Sequence, residues 1–326
     1  MAIKISIVIP TFNRAALLQK CLDILIIQVF PKTDFEIIVV SDGPDKEAAR
    51  VVAKSRLACN DLPAIRYDHL PFKKGPAAAR NRGWQHARGK LIAFTDDDCI
   101  PNIYWLKAIW DSYHEQDEVA FTGKIIVPRP LRPTDYQRNV ANLETAEFVT
   151  ANCFCTRHAL EKVNGFDERF SIAWREDSDL EFNLLAHQIP VEYIEKACII
   201  HPVRPSGWGV SLKEQRKSMY NALLYKKHPR LYRAKIQRRP PWHYYATVVS
   251  FLVFIASLLL MRYPLLATLA LLSWAILSGW FILKRLSGNS HAGNHILEMI
   301  ITSLCIPFLS VFWRLFGSVK FKIFFL

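Results

Sequence analysis

Acidic residues all but vanish from the C-terminal third of this 326-residue chain. Residues 203–239 carry 11 basic side chains and a single acid, Glu214; residues 240–326 carry six and one, Glu298. Residues 1–202 hold 25 basic and 27 acidic side chains, so the formal net charge of +13 belongs wholly to residues 203–326. That excludes a generic nucleic-acid surface on the N-terminal part, because electrostatics dominates such binding. Glycine is scarce, 12 residues against 51% hydrophobic content, which excludes disorder and collagen-like repeats. The seven cysteines form no CxxC pair. Such an odd, dispersed set reads as free thiols in a reducing compartment, and Cys153-Phe-Cys155 reads as buried strand rather than half of a zinc site. No GxxxxGK[ST] occurs, and Gly207-Trp208-Gly209 lacks the later glycine of a dinucleotide fingerprint and follows no strand. Walker-type NTPases and dehydrogenases are thereby excluded. The apolar run at 5–9 is too short for a signal peptide and ends at Pro10.

Within residues 1–202, short apolar runs alternate with helical periodicity. Strands are expected at 4–9, 35–40 and 91–95, and helices at 14–28, 46–58 and 76–88. That alternation predicts an α/β domain with a mostly parallel sheet covered by helices on both faces. Ligands bind such sheets beyond the carboxyl ends of the strands. Polar residues collect at those ends: Pro10, Thr11, Asn13 and Arg14, then Ser41-Asp42-Gly43, then Asp96-Asp97-Asp98. Any one of them alone is equally an ordinary turn or cap. Three adjacent carboxylates repel one another unless solvated or shared by a cation, so the triplet is either a solvated turn or a site for a hard divalent metal.

The C-terminal third reads differently. Residues 244–261 and 265–283 are uncharged, each close to the length of about 20 residues that crosses a bilayer as a helix. Arg262 is the one charge between them, whereas seven basic residues from Lys226 to Arg239 precede the first and Lys284 and Arg285 follow the second. The positive-inside rule then places the N-terminal domain in the cytoplasm. A third apolar stretch, 296–316, contains Glu298, Pro307 and Arg314, and is read as an interfacial or re-entrant helix rather than a third span. In 203–240, leucines interleave with lysines and arginines. This predicts an amphipathic segment on anionic headgroups, with a plain anchoring patch as the alternative.

Seven motifs, in order, resemble the family 2 glycosyltransferases, which have the GT-A fold. They are Ser6-Ile7-Val8-Ile9-Pro10-Thr11-Phe12-Asn13-Arg14, Ile38-Val39-Val40-Ser41-Asp42-Gly43, Gly75-Pro76-Ala77-Ala78-Ala79-Arg80-Asn81-Arg82-Gly83, the acidic triplet, Asn164-Gly165-Phe166-Asp167-Glu168, Glu176-Asp177-Ser178-Asp179-Leu180 and His201-Pro202. The resemblance covers nearly all of 3–202 and implies a GT-A catalytic domain over 1–202; charge and hydropathy add an interface segment over 203–240 and a membrane domain over 241–326. It further implies a nucleotide-sugar donor, a UDP-sugar, with Pro10, Thr11, Arg14, Asp42, Arg80, Asp96 and Asp97 around the nucleotide. Asp96 and Asp98 look like the pair that holds Mg²⁺ or Mn²⁺ on the diphosphate, and His201 resembles a histidine that joins the metal in some relatives; a loop-stabilising role is its alternative. Asp177 resembles the base of an inverting transfer, with Glu176 as its supporting neighbour, although acids at a helix N-terminus are also favoured by the dipole alone. The resemblance leaves two membrane-anchored acceptor types: a hydroxyl on a lipid or lipid-linked glycan, or a polyprenyl phosphate, which is already ionised and needs no base. The QxxRW signature of processive synthases is missing. A nucleotide-sugar-binding pseudoenzyme scaffold is the non-catalytic alternative, which the intact acidic motifs oppose.

Overall fold

The computed structural model describes residues 3–325 and divides into two units. Met1–Pro128 and Ala141–Val203 make the first; Arg129–Val140 and Arg204–Leu326 make the second. The excursion of 129–140 into the second unit has no mark in the sequence pattern.

The first unit is built on β1 (Ile5–Thr11), β2 (Phe35–Ser41), β3 (Ala64–His69), β4 (Leu91–Phe94), β5 (Ile100–Pro101), β6 (Ala120–Ile126), β7 (Cys153–Thr156) and β8 (Val191–Ile200). They form one sheet in the order β3-β2-β1-β4-β7-β6-β8-β5. The first four strands in this order run parallel to one another. Beyond β4 the sheet is mixed: β7 runs antiparallel to β4 and β6, β6 and β8 are parallel, and β5 closes the edge antiparallel to β8. Every residue of β1, β2 and β4 is buried, which is why these strands read as unbroken apolar runs.

The helices are α1 (Ala15–Ile26), α2 (Lys46–Ala58), α3 (Pro76–Gln85), α4 (Trp105–Ser112), α5 (Asp135–Ala141, mostly in the second unit), α6 (Arg157–Val163) and α7 (Glu176–Ala186). Helix α1 buries Leu18, Cys21, Leu22 and Leu25, a helical stripe. Asp45 caps α2 by accepting from the Ala48 amide, and Pro76 opens α3, where its missing N–H costs no hydrogen bond. Cys153 and Cys155 lie buried on β7, as free thiols in the strand expected of them.

One ionic knot spans the sheet. Glu36 on β2 is wholly buried, yet it accepts from the Ser6 hydroxyl at 2.7 Å, the Arg88 amide at 2.8 Å and Arg88 Nε at 2.9 Å, with Arg66 Nη2 at 3.0 Å. Burial works against its ionisation, but these partners hold its carboxyl below the ordinary range.

In the second unit, α8 (Val210–Glu214), a 3₁₀ turn (Gln215–Met219), α9 (Tyr220–Lys227), α10 (Pro229–Leu231) and a π turn (Tyr232–Ile236) precede three long helices. These are α11 (Trp242–Leu260), α12 (Pro264–Leu286) and α13 (Gly293–Lys320), each long and apolar enough to cross a membrane. The basic segment is therefore a chain of short turns, not one amphipathic helix. Met219, Leu223 and Leu224 are buried inside the unit, with Met219 lying against Gly317 of α13, so these apolar side chains are not available to a bilayer. Helix α13 runs unbroken through Pro307 for 28 residues, which differs from a re-entrant loop.

Gly83 seats α3 on the sheet: a Cβ there would lie 2.3 Å from Val8 Cγ1 and 3.3 Å from Val40 Cγ2. Gly83→Ala should overpack that contact and destabilise by about 1–3 kcal/mol. Thermal unfolding of the full chain in detergent would register this as a lower midpoint.

Candidate active site

Four strand ends and two helix starts converge on one acidic centre. The β4 strand delivers Thr95 and the triplet Asp96-Asp97-Asp98, which turns through a hydrogen bond from the Cys99 N–H to the Asp96 carbonyl at 3.1 Å. The three acids go separate ways. Asp97 is fully buried and accepts from the Thr11 hydroxyl at 2.7 Å and from Arg14 Nη1 at 3.2 Å. Burial pushes its carboxyl up to about 6, while Arg14 and then Thr11 pull it back. Thr11 and Arg14 thus both donate to Asp97, which ties the ends of β1 and β4 together. Of the three residues expected around the nucleotide, Thr11 and Asp97 are also used to hold the fold. Pro10 is buried within β1.

Asp96 turns the other way, to Arg80. Arg80 is 2% exposed and donates from Nη2 to Asp96 Oδ1 at 2.8 Å and from Nη1 to Glu176 Oε1 at 3.1 Å. Its guanidinium lies 5.7 Å from the centre of the Phe166 ring, which meets Phe94 of β4 edge-on at 5.1 Å. Phe166 is held by Asn81, whose Oδ1 accepts from the Phe166 amide at 2.9 Å and whose Nδ2 donates to the Phe166 carbonyl at 2.8 Å. The Asn164–Phe166 stretch of the fifth motif is therefore a latch. Asn164 and Gly165 both take positive φ, 58° and 60°, to bring the chain round.

Asp42, at the end of β2, accepts at Oδ1 from the amides of Lys74 and Gly75 at 2.7 and 2.8 Å, fixing the entry to α3. Its other oxygen accepts no hydrogen bond among the described residues. Gly75 has φ of 109°, and a Cβ on it would lie 2.5 Å from the Ser171 carbonyl oxygen, so no other residue fits.

Glu176 and Asp177 open α7, directly after Arg175 in the left-handed conformation at φ 74°. That strained residue turns the chain so that two carboxylates enter the site side by side. Burial, then repulsion from Asp177, pushes Glu176 up to about 7, against the pull of Arg80. Burial also raises Asp177. The two differ in access. Glu176 Oε2 is buried without a hydrogen-bond partner. Asp177 is half-buried and accepts at Oδ1 from the Ser178 amide at 2.7 Å, leaving Oδ2 without a donor among the described residues.

Asp98, Cys99 and His201 each bring a ligand atom within 4.8 Å of the others, all three buried. His201 follows β8, its amide bonded to the Ile126 carbonyl at 2.8 Å, and its Nε2 lies 3.8 Å from Asp98 Oδ1. His201 Nδ1 is buried with no hydrogen-bond partner. Burial, with Asp96 and Asp98 adding to it, pushes the Cys99 thiol well up, so the sulfur stays protonated. A carboxylate and an imidazole are ligands that Mg²⁺ or Mn²⁺ can take. Cys99 was not anticipated; its place directly after the triplet was the available signal.

The profile described as glycosyl transferase family 2 matches residues 6–170, half of the chain, and that of glycosyl transferase family group 2 matches 134–283. The chain belongs to glycosyl transferase family 2. Over 65% of its length it is 26% identical to glycosyltransferase AglE of Haloferax volcanii, covering 70% of that protein. Over 37% of its length it is 35% identical to the poly(ribitol-phosphate) β-glucosyltransferase of Bacillus spizizenii, covering 19% of it. In fold, this family 2 chain resembles the mannosyltransferase PcManGT from Pyrobaculum calidifontis, solved in complex with GDP-Man and Mn²⁺. The TM-score is 0.56 at 17% identity, over 99% of this chain and 88% of that one. Staphylococcus aureus TarS 1–349 in complex with UDP-GlcNAc gives 0.53 at 16%, over 99% and 93%. The mixed sheet with flanking helices is thus that of the GT-A glycosyltransferases.

Arg80→Gln strands two carboxylates around a lost charge, at a cost of about 3–5 kcal/mol. Arg80→Lys, a single point charge in place of a fork, should recover only part of it. Chemical denaturation of the three proteins would rank them wild type, Lys, Gln.

Proposed function

We propose that this glycosyltransferase works by inversion, moving a sugar from a UDP-sugar to a hydroxyl of a lipid or lipid-linked glycan at the cytoplasmic membrane face. The observation that carries the reading is the pair Glu176-Asp177, joined through Arg80 to Asp96. Direct displacement at the anomeric carbon by an alcohol needs a carboxylate to take the hydroxyl proton. Asp177 suits that part, since it is half-buried with Oδ2 open to a donor. Glu176, buried and bound to Arg80, lies beside it, and burial holds the Asp177 carboxyl above its ordinary range. A polyprenyl phosphate acceptor would need no base, so a poised carboxylate favours the hydroxyl.

Asp96, Asp98 and His201 are the residues that would hold Mg²⁺ or Mn²⁺, which when bound neutralises charge on a departing diphosphate. Asp42 has a carboxylate oxygen open to the base or ribose, and Arg80 fixes Asp96 at the end of β4. PcManGT was solved with GDP-Man and Mn²⁺ and TarS with UDP-GlcNAc, donors of the chemistry proposed here.

For the membrane, α11 and α12 are read as a hairpin across the bilayer, joined by Ser250 and Ser273 at 3.0 Å, with the charge bias placing the catalytic unit in the cytoplasm. Helix α13 is read as lying in the interface. Both its ends touch the basic segment that precedes the hairpin: Gly209 N–H donates to Glu298 Oε1 at 2.7 Å, and Lys226 Nζ donates to the Phe321 carbonyl at 2.8 Å. A helix of 28 residues, about 42 Å long, cannot cross the bilayer while both ends rest on one cytoplasmic segment. Its faces agree. Leu297, Ile301, Phe312, Phe316 and Val319 are exposed on one side, while Thr302, Ser303, Ser310 and Arg314 are buried on the other.

Asp177→Asn should lower transfer by about 10²–10⁴-fold while donor binding, read by calorimetry with Mn²⁺, survives; full turnover would sink the assignment. A raised base is protonated below its pKa, so kcat/KM should climb with pH through the acid-to-neutral range.

A further inference from the structure

The basic segment and the end of α13 enclose a cavity of about 210 Å³ to which the proposed transfer gives no part. Four arginines line it, Arg233, Arg238, Arg239 and Arg314, and among the described residues no carboxylate does. Its floor is aromatic: Tyr225 and Tyr232 meet edge-on at 5.6 Å, and Phe325 lies 5.3 and 5.5 Å from them. Arg314, 3% exposed, donates from Nη1 to Gln237 Oε1 at 3.1 Å, and its guanidinium lies 4.5 Å from the Phe325 ring centre. Arg233 donates to the Tyr225 hydroxyl at 2.6 Å. Arg238 and Arg239 are exposed and pair with nothing among the described residues.

A single wide turn shapes the opening. The π turn at Tyr232–Ile236 closes through the Gln237 amide on the Tyr232 carbonyl at 2.9 Å, and such turns recur at functional sites. Trp242, 57% exposed, stands at the rim and begins α11. An aromatic there marks headgroup depth. Size and charge narrow the ligand. The cavity is smaller than the roughly 300–1,000 Å³ of pockets that take whole small molecules, and guanidinium forks match phosphate oxygens in pairs.

We infer that this cleft is a discrete binding site for the phosphate of one anionic phospholipid, held by Arg238 and Arg239 over the Tyr225–Phe325 floor with Trp242 against the first acyl carbons. It rests on the proposed membrane placement but goes further: one bound lipid rather than a diffuse basic surface. Native mass spectrometry of the full chain in detergent, titrated with dioleoyl phosphatidylglycerol, tests it. One lipid should be retained by the wild type. Arg238→Gln with Arg239→Gln should weaken it about tenfold or more, since each charge-assisted bond lost is of that order. Lys213→Gln with Arg216→Gln, an equal charge loss outside the cleft, should leave it unchanged. Equal weakening by both pairs would overturn the site in favour of general electrostatics. Displacement of the lipid by millimolar inorganic phosphate would overturn the lipid assignment in favour of a free anion. All variants should still fractionate with membranes; loss of that would count against the membrane placement, not against the cleft.

Discussion

The site depends on one buried guanidinium. Arg80 sits between Asp96 and Glu176, residues 16 and 96 positions away along the chain. Removing that charge from water is costly, and only two carboxylates at hydrogen-bond distance offset it. The arrangement is therefore mutual: Glu176 cannot be brought under cover without Arg80, nor Arg80 without carboxylate partners. Because Arg80 is on α3, Asp96 at the end of β4 and Glu176 at the start of α7, satisfying one cation fixes three elements relative to each other. Phe166, beneath the guanidinium, and Asn81, which holds Phe166, extend the constraint to a fourth segment.

The same device recurs in the second unit. Arg285 of α12 is 9% exposed and donates to Asp135 Oδ2 at 2.7 Å, Thr302 Oγ1 at 2.7 Å and Ser303 Oγ at 3.0 Å. It thereby pins the 129–140 excursion and α13 to the hairpin. Asp135 in turn donates its backbone amide to His295 Nε2 at 3.0 Å. A charge that reads as a cytoplasmic flank in the sequence is spent on internal structure, which means positive residues near a span are not all facing headgroups.

Such internal partners set how far the sequence was legible. The strands at β1, β2 and β4 were visible because both their faces are covered, so nothing polar interrupts them. Helices α1 to α3 carried their periodicity and caps openly, and the acids of the triplet and of α7 stood out by position and resemblance. Strand β3 was not visible, because most of it is only half-buried, and neither was the antiparallel pairing of β5, two residues long. The division of labour within the triplet was illegible for a different reason. Asp97 is distinguished from its neighbours only by Thr11 and Arg14, which reach it from 86 and 83 positions away. Spacing within a motif cannot show such a partner.

The basic collar was misread for the complementary reason. Interleaved leucines and lysines imply a helix with one face in lipid, provided nothing else competes for the leucines. Here α13 competes and wins: it buries Met219 beside Gly317 and offers its own exposed apolar face in exchange. The net positive charge and the exposed apolar surface are thus carried by two different elements stacked on each other, not by two faces of one helix. Stacking leaves the arginines at the open edge of the pair, beside the first turn of α11, rather than spread along a helix face. A charge pattern fixes how many cations lie near a membrane; which of them converge is decided by the packing of the apolar residues between them.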